Sequence, residues 1–473
     1  MTKESSLTTS SGPAGVQAAP TRAGRADIVA FRTAVRAWFA ISWQTFGGPA
    51  GQIAVMQRTL VDEKRWIGQN RFLHALNYCM LLPGPEAHQL AIYVGWLLNG
   101  ARGGLAAGIL FVLPGVLAIM ALSVVYVAFG DTTVVSALFA GLAPAVLAIV
   151  VHAVIRVGKR ALTSPAAVAL AVGAFTALTV FAVPFPLVVL GAGVIGWLVH
   201  RFAPRLMADS SRPSSRPDGP EPLIPDDALH AEKPSGRRTL RVLAVGLLAW
   251  ALPVVLVAVL LGRESVFTQQ GLFFSGSALI TFGGAYAVLA YVAQRAVETY
   301  AWLTPGEMTR GLALAETTPG PLIMVVQFVA FLGAYRNPGD LEPWAAAVLG
   351  ALLTTWVTFV PSFLFIFLGA PYVERLRGNR TLGAALSAIT AAVVGVIANL
   401  AVYFAIHTLF GSSSTWHAGP VSLQLPDLTT VDPAALAIAV LAAVLLFVVR
   451  WSVLRTLLVC AAVGLVLGLT GLL

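Results

Sequence analysis

Long apolar runs fill most of this chain, separated by short polar stretches. Residues 105–129, 134–155, 345–369 and 382–405 are each apolar for long enough to supply the roughly 20 residues a helix needs to cross a bilayer. Further candidates lie at 161–183, 187–200, 240–261, 433–449 and 451–473. None shows the period-two alternation of a membrane barrel strand, so the pattern predicts an all-α polytopic membrane protein of about ten to fourteen helical pieces. Runs that contain Pro and Gly can be read as one helix or as two halves.

Two polar segments punctuate the pattern. The first 27 residues are rich in Ser, Thr, Gly and Ala and lack an apolar core, so they read as a disordered tail with no cleavable signal peptide. Residues 201–241 mix Pro, Ser and both charge signs and read as a disordered linker. Arg201, Arg205, Arg237, Arg238 and Arg241 flank it, and Arg22, Arg25, Arg32 and Arg36 follow the tail. The excess of arginine places both segments in the cytoplasm. The expected domains are therefore a tail at 1–27, a first transmembrane repeat at 28–200, a cytoplasmic linker at 201–241 and a second repeat at 242–473.

Composition narrows the class further. The chain is 58% hydrophobic and 11% charged, with a mean hydropathy of +0.82, against about 25% charged in an ordinary soluble domain. Its formal net charge of +9 is spread between apolar segments, which fits positive-inside topology and not nucleic-acid binding. Cys79 and Cys460 lie far apart in apolar surroundings, a pattern of neither a disulfide framework nor a metal cluster.

Three landmarks recur at one constant spacing. Phe46-Gly47-Gly48, Trp66 and Pro83-Gly84-Pro85 return 236 positions later as Phe282-Gly283-Gly284, Trp302 and Pro319-Gly320-Pro321, which marks two copies of a unit of roughly 200 residues. Loop charge then swaps between the copies. Arg58, Lys64, Arg65 and Arg71 precede the first PGP, but only Arg295 and Arg310 precede the second. Past Pro114 and Pro361 the offset becomes 247 and the bias reverses: the turn at Asp131 has no Lys or Arg, whereas its counterpart holds Arg375, Arg377 and Arg380. It then reverses again, because Arg156, Lys159 and Arg160 match a stretch, 407–431, without either. The swaps favour inverted over parallel repeats.

Pro-Gly-Pro inside an apolar run breaks a helix, since proline lacks an amide proton and restricts the residue before it. In a membrane such breaks are tolerated where they are buried in protein or line a wet cavity. Helices restarting after PGP and FGG would aim amides and partial positive charge at that cavity, an arrangement suited to an anion. The candidate substrate-binding residues are thus Phe46, Gly47, Gly48, Pro83, Gly84, Pro85, Gln89, Phe282, Gly283, Gly284, Pro319, Gly320 and Pro321. The same glycines and prolines also suit simple kinks or close packing. Titratable groups are expensive inside a membrane, which makes Glu86, His88 and Glu316 the proton-coupling candidates. His152 and its counterpart Asn399 read as interhelical hydrogen-bonding residues, and Trp66 and Trp302 as bilayer-interface markers. No metal-spaced ligand set, nucleotide fingerprint or catalytic carboxylate pair is apparent, so no metal, cofactor or catalytic residue is expected.

The runs FGGPAGQIAVMQ, Arg65-Trp66 and LLPGPEAHQLAIYVGWLLNGARGGLAAGILFVLPG, with FGG, Trp302, TTPGP and Phe363 in the second half, resemble the chromate ion transporter family. That resemblance implies two homologous halves and export of chromate across the bacterial inner membrane, driven by membrane potential or a proton gradient and conferring chromate resistance. Glu86 and His88 depart from the neutral positions expected after the first PGP, and Pro49 is not repeated at Ala285. Sulfate, with the same charge and tetrahedral shape, is the alternative substrate, and a membrane-embedded enzyme or an uncoupled channel the rival class. The expected partners are the oxyanion and the lipid bilayer, with no nucleic acid; the sequence leaves room for a homo-oligomer.

Overall fold

In the computed structural model, residues 27–202, 222–224, 235–282, 284–369 and 380–471 are described. The tail, most of the linker, Gly283, Arg375 and Arg377 lie outside them. The chain enters through α1 (Phe31–Ser42), α2 (Gly48–Gln57), a π-helical turn (Arg58–Glu63) and α3 (Gln69–Met80). Then come the long α4 (Glu86–Phe129), α5 (Thr133–Ala161), α6 (Pro165–Thr179) and α7 (Phe185–Phe202). After the linker, α8 (Gly236–Leu260) starts inside the expected linker.

The earlier order then returns: α9 (Val266–Leu279), α10 (Ala285–Gln294), a π-helical turn (Arg295–Thr299) and α11 (Pro305–Thr317). They are followed by a 3-10 turn (Leu322–Met324), α12 (Val325–Arg336), α13 (Pro343–Gly369) and α14 (Arg380–Leu409). A hairpin of β1 (Ser413–Ala418) and β2 (Val421–Pro426) leads to α15 (Pro433–Ala443), a last π-helical turn (Val444–Val448) and α16 (Val453–Leu469). Among the described residues six helices are long and apolar enough to cross a membrane, and four apolar segments are shorter. The protein is therefore all-α and polytopic, with one two-stranded hairpin that hydropathy did not foretell.

Local chemistry explains the breaks. α4 is two limbs, because Asn99 and Gly100 leave the helical region (Gly100 at φ 64°) and turn the chain back. The Asn99 amide donates to the Val29 carbonyl at 2.6 Å, and Gly95 packs tightly on the backbone of Gly103 across the fold. In the second half the same turn is a true loop at Asn337, between α12 and α13, where Gly350 packs on Ala330 and Ala334. Even the left-handed residue after each of the first two π turns recurs, as Arg65 and Ala301.

The remaining helices interlock. α5 packs on α15 and α16, α14 packs on α6 and α7, and α5 and α14 lie against each other. Small residues permit these close approaches: Gly141 and Gly464 between α5 and α16, Gly395 against Ala171, and Gly196 against Ala388. As expected for an interhelical role, the Asn399 amide donates to Thr179 Oγ1 at 3.0 Å.

Trp66 and Trp302 are not bilayer-interface markers. Both are buried, at 7% and 2% exposure, because the left-handed residue before each turns the indole inward. Trp302 stacks on Tyr300 with ring centroids 4.4 Å apart and packs on Phe273 and Phe274. Nor is the whole linker outside the packed structure: Ile224 is buried beside Trp66, and its amide donates to the Trp66 carbonyl at 3.1 Å.

A half-buried ion pair fastens the ends of α11 and α12. Glu307, in a capping box with Thr304, accepts from Arg336 at 2.5 and 2.9 Å and from Tyr126 Oη at 3.2 Å. Arg310 donates to the same tyrosine at 3.1 Å. Removing the carboxylate strands these donors, so Glu307→Ala is expected to destabilise the protein by about 2 kcal/mol, given the part-exposed arginine. A lowered melting temperature in detergent, partly restored in Glu307→Gln, checks this.

Candidate functional site

The two pairs of breaks meet across the molecule. The Gly84 amide donates to the Thr281 carbonyl at 2.8 Å, and the Gly320 amide donates to the Thr45 carbonyl at 3.0 Å. Thr45 precedes the first FGG and Thr281 the second. Each PGP therefore clasps the FGG of the other half, and donor and acceptor are both displaced by 236 positions between the two bonds.

Neighbouring helices complete the clasp with the same reciprocity. Gly115 of α4 packs on Gly320, and its offset counterpart, Ser362 of α13, packs on Gly84. Two further bonds come from the first half alone: Gln52 donates to the Gly320 carbonyl at 2.5 Å, and Gln89 to the Pro83 carbonyl of its own half at 2.7 Å. Gln89 Oε1 and Ser362 Oγ remain buried without a hydrogen-bond partner beside Gly84.

The central glycines of the two PGP motifs are thus committed to contacts between the halves. The Gly84 and Gly320 amides are used up by carbonyls, and both glycines, at φ 124° and 105°, are buried. The FGG glycines behave differently. Gly47, Gly48 and Gly284 also have positive φ, but a Cβ on any of them would meet nothing within 4 Å. Open space thus lies beside the starts of α2 and α10, where first-turn amides are unpaired by the helix itself.

The coupling candidates part company. His88 is fully buried among Phe111, Phe359 and Phe363, with ring centroids 6.4, 5.0 and 5.2 Å away. Glu86 is half-buried in the first turn of α4, within electrostatic reach of Arg160 on α5. Glu316 is buried at the end of α11, where the hydroxyl of buried Tyr286 donates to it. Arg156 of α5 approaches the same hydroxyl. Sequence reasoning missed Arg156, Arg160 and Tyr286: the arginines read as topology determinants, although their i, i+4 spacing on an apolar helix puts both on one face. Among the described residues no group of three or more His, Cys, Asp or Glu is placed to hold a metal ion.

Interrupted helices that meet back to back inside an apolar bundle define a multi-pass α-helical membrane protein whose irregular backbone is shielded from lipid. The family model described as "Chromate transporter" matches residues 32–197 and 268–466, and the chain belongs to that family. It is 32% identical over 360 residues to the chromate transport protein of Pseudomonas aeruginosa, covering 74% of this chain and 76% of that one. The chromate transport protein of Cupriavidus metallidurans is 28% identical over 363 residues, with 76% and 79% covered. A probable chromate transport protein of Synechococcus elongatus is 25% identical over 404 residues, with 83% and 91% covered. No solved structure matches the chain.

Proposed function

We propose that the protein is a secondary transporter that exports chromate across the bacterial inner membrane through two copies of one unit inserted in opposite orientations. The reciprocal clasp carries this reading. Contacts in which one copy's PGP holds the other's FGG, and the reverse, are what a two-fold relation produces. A two-fold axis in the membrane plane inverts the copies, and the swapped loop charges favour that axis. Consistent with it, the linker strap at 222–224 lies on the loop after the first π turn, while the β1–β2 hairpin faces the second. There a polar cavity of about 300 Å³ is lined by Glu298, Tyr403, Ser422 and Gln424, among others.

The substrate class comes from the relatives named as chromate transport proteins. In this reading the starts of α2 and α10, freed by Gly47, Gly48 and Gly284, receive the tetrahedral dianion, and the PGP segments hold the two halves in register. The basic residues on the linker side attract the anion there, so loading is cytoplasmic and release outward. Members of the family named as transporters, and the want of a catalytic constellation in the sequence, weigh against an enzyme.

Labelled chromate uptake into inside-out vesicles, with excess unlabelled sulfate as competitor, tests the reading. Saturable uptake that resists sulfate is expected. Uptake abolished by sulfate would move the assignment to another oxyanion, and no uptake would sink the transport reading.

A further inference from the structure

Glu316 is a carboxylate inside a membrane bundle, at 3% exposure, a position that is costly without a partner or a task. Its neighbours are unusual. Tyr286, two residues after the open Gly284, donates its hydroxyl to Glu316, and Arg156, on α5 where it packs against α11, lies within electrostatic reach of both groups. The phenol stands between the two charges, and a guanidinium carries five donors, more than one hydroxyl can accept.

The cluster exists once. At the matching offsets the other half carries Met80 for Glu316, Ala50 for Tyr286 and Tyr403 for Arg156. A structural ion pair serving both copies would be present in both. This one sits beside the start of α10, where the open space and the helix N-terminus already favour an anion.

We propose that Arg156 is the cationic ligand of the transported oxyanion and that Glu316, linked to it through Tyr286, takes up a proton when the dianion binds. The proposal rests on the oxyanion-transport reading. In the empty site Glu316 balances Arg156. When a dianion arrives, an ionised Glu316 would leave the dry site with two excess negative charges; a proton from solvent on the carboxylate halves that excess. Among the other ionisable groups on elements packed against α11, Arg160 lies toward Glu86 and Arg336 is bound by Glu307, while His152 and Lys159 stand on α5 and His88 on α4.

The sign follows from linkage. Protonated Glu316 favours anion binding, so affinity is highest at low pH and falls, by at most about tenfold per pH unit for one proton, as pH rises through the titration of the carboxylate. Binding of labelled chromate to the full-length purified protein is measured between pH 6 and 9, with monodispersity on size exclusion as the folding control. Chromate's own protonation affects every variant equally, so differences between curves are the readout.

Glu316→Gln is expected to flatten the curve near the acid limit of the unmodified protein, and Arg156→Gln to weaken binding about a hundredfold at every pH, with Arg156→Lys recovering part. Should Glu316→Gln not fold, Tyr286→Phe is expected to move the midpoint to higher pH, because the carboxylate loses its donor. Superimposable curves for Glu316→Gln and the unmodified protein, an unmoved midpoint in Tyr286→Phe, or unimpaired Arg156→Gln would each overturn the proposal while leaving chromate transport standing. Absence of chromate binding by the unmodified protein at every pH would overturn the transport reading and the proposal with it.

Discussion

Valine at position 320 is expected to cut the initial rate of chromate uptake about a hundredfold in a protein that still folds. Gly320 has φ 105°, where an L side chain costs about 1–2 kcal/mol. A Cβ there would also stand 3.2 Å from the Gly115 Cα, and this neighbour is helix backbone that cannot swing aside. Overpacking of that kind adds about 1–3 kcal/mol. The strain is relieved if Gly320 withdraws, which breaks its amide bond to Thr45 and the Gln52 bond to its carbonyl. Two to five kcal/mol against the clasped state, at about 1.4 kcal/mol per tenfold, spans the expected loss.

The companion substitution Gly84→Val should cost less, because its Cβ meets the Gln89 amide at 2.8 Å and the Ser362 hydroxyl at 3.0 Å, and both side chains can move. Gly262→Ala, in the turn after α8 at φ 92°, serves as the contrast, carrying a φ penalty with no collision. Uptake into inside-out vesicles, normalised to protein that elutes as a single species, gives the ranking. Wild-type uptake by folded Gly320→Val would show that the clasp has no part in transport.

How much of this was legible in the sequence depends on the kind of contact. The apolar runs announced the helices, because membrane crossing imposes length and composition on one continuous segment. PGP and FGG announced breaks for an equally local reason. What they touch was hidden: the bond from Gly84 to Thr281 joins residues nearly 200 apart in sequence, and no periodicity encodes it. The use of the Gly84 and Gly320 amides across the halves was therefore not foreseen, whereas the helix starts after FGG, beside open space at Gly47, Gly48 and Gly284, were marked by the glycines themselves.

Local rules also misled where one residue type serves two purposes. Tryptophan near a helix end suits a bilayer interface, yet the backbone turn before Trp66 and Trp302 drives both indoles inward. Arginine at the end of an apolar helix suits a topology signal, and Arg156 also lies within electrostatic reach of the Tyr286 hydroxyl. The turn at Asn99 and Gly100 lies just ahead of the apolar run that starts at 105 and was not read as a turn. Glu316 was found because a lone carboxylate beside a break stands out, but its tyrosine and arginine come from other helices.

Charge movement gives the other large effect. In inside-out vesicles clamped 100 mV positive in the lumen, with no pH gradient, the unmodified protein is expected to hold chromate about 40-fold above the bath. Each charge crossing that potential is worth about 2.3 kcal/mol, and about 1.4 kcal/mol is tenfold. A dianion travelling with one proton on Glu316 moves a single net charge. Glu316→Gln carries no such proton, so the same clamp should drive two charges and about a 2,000-fold gradient. Accumulated label at steady state, with potassium and valinomycin setting the potential, separates the cases. A 2,000-fold gradient in both proteins would mean that the proton taken up on binding returns to the loading side. A gradient near unity in both would sink potential-driven export, and the anion would have to leave by exchange for an equal charge.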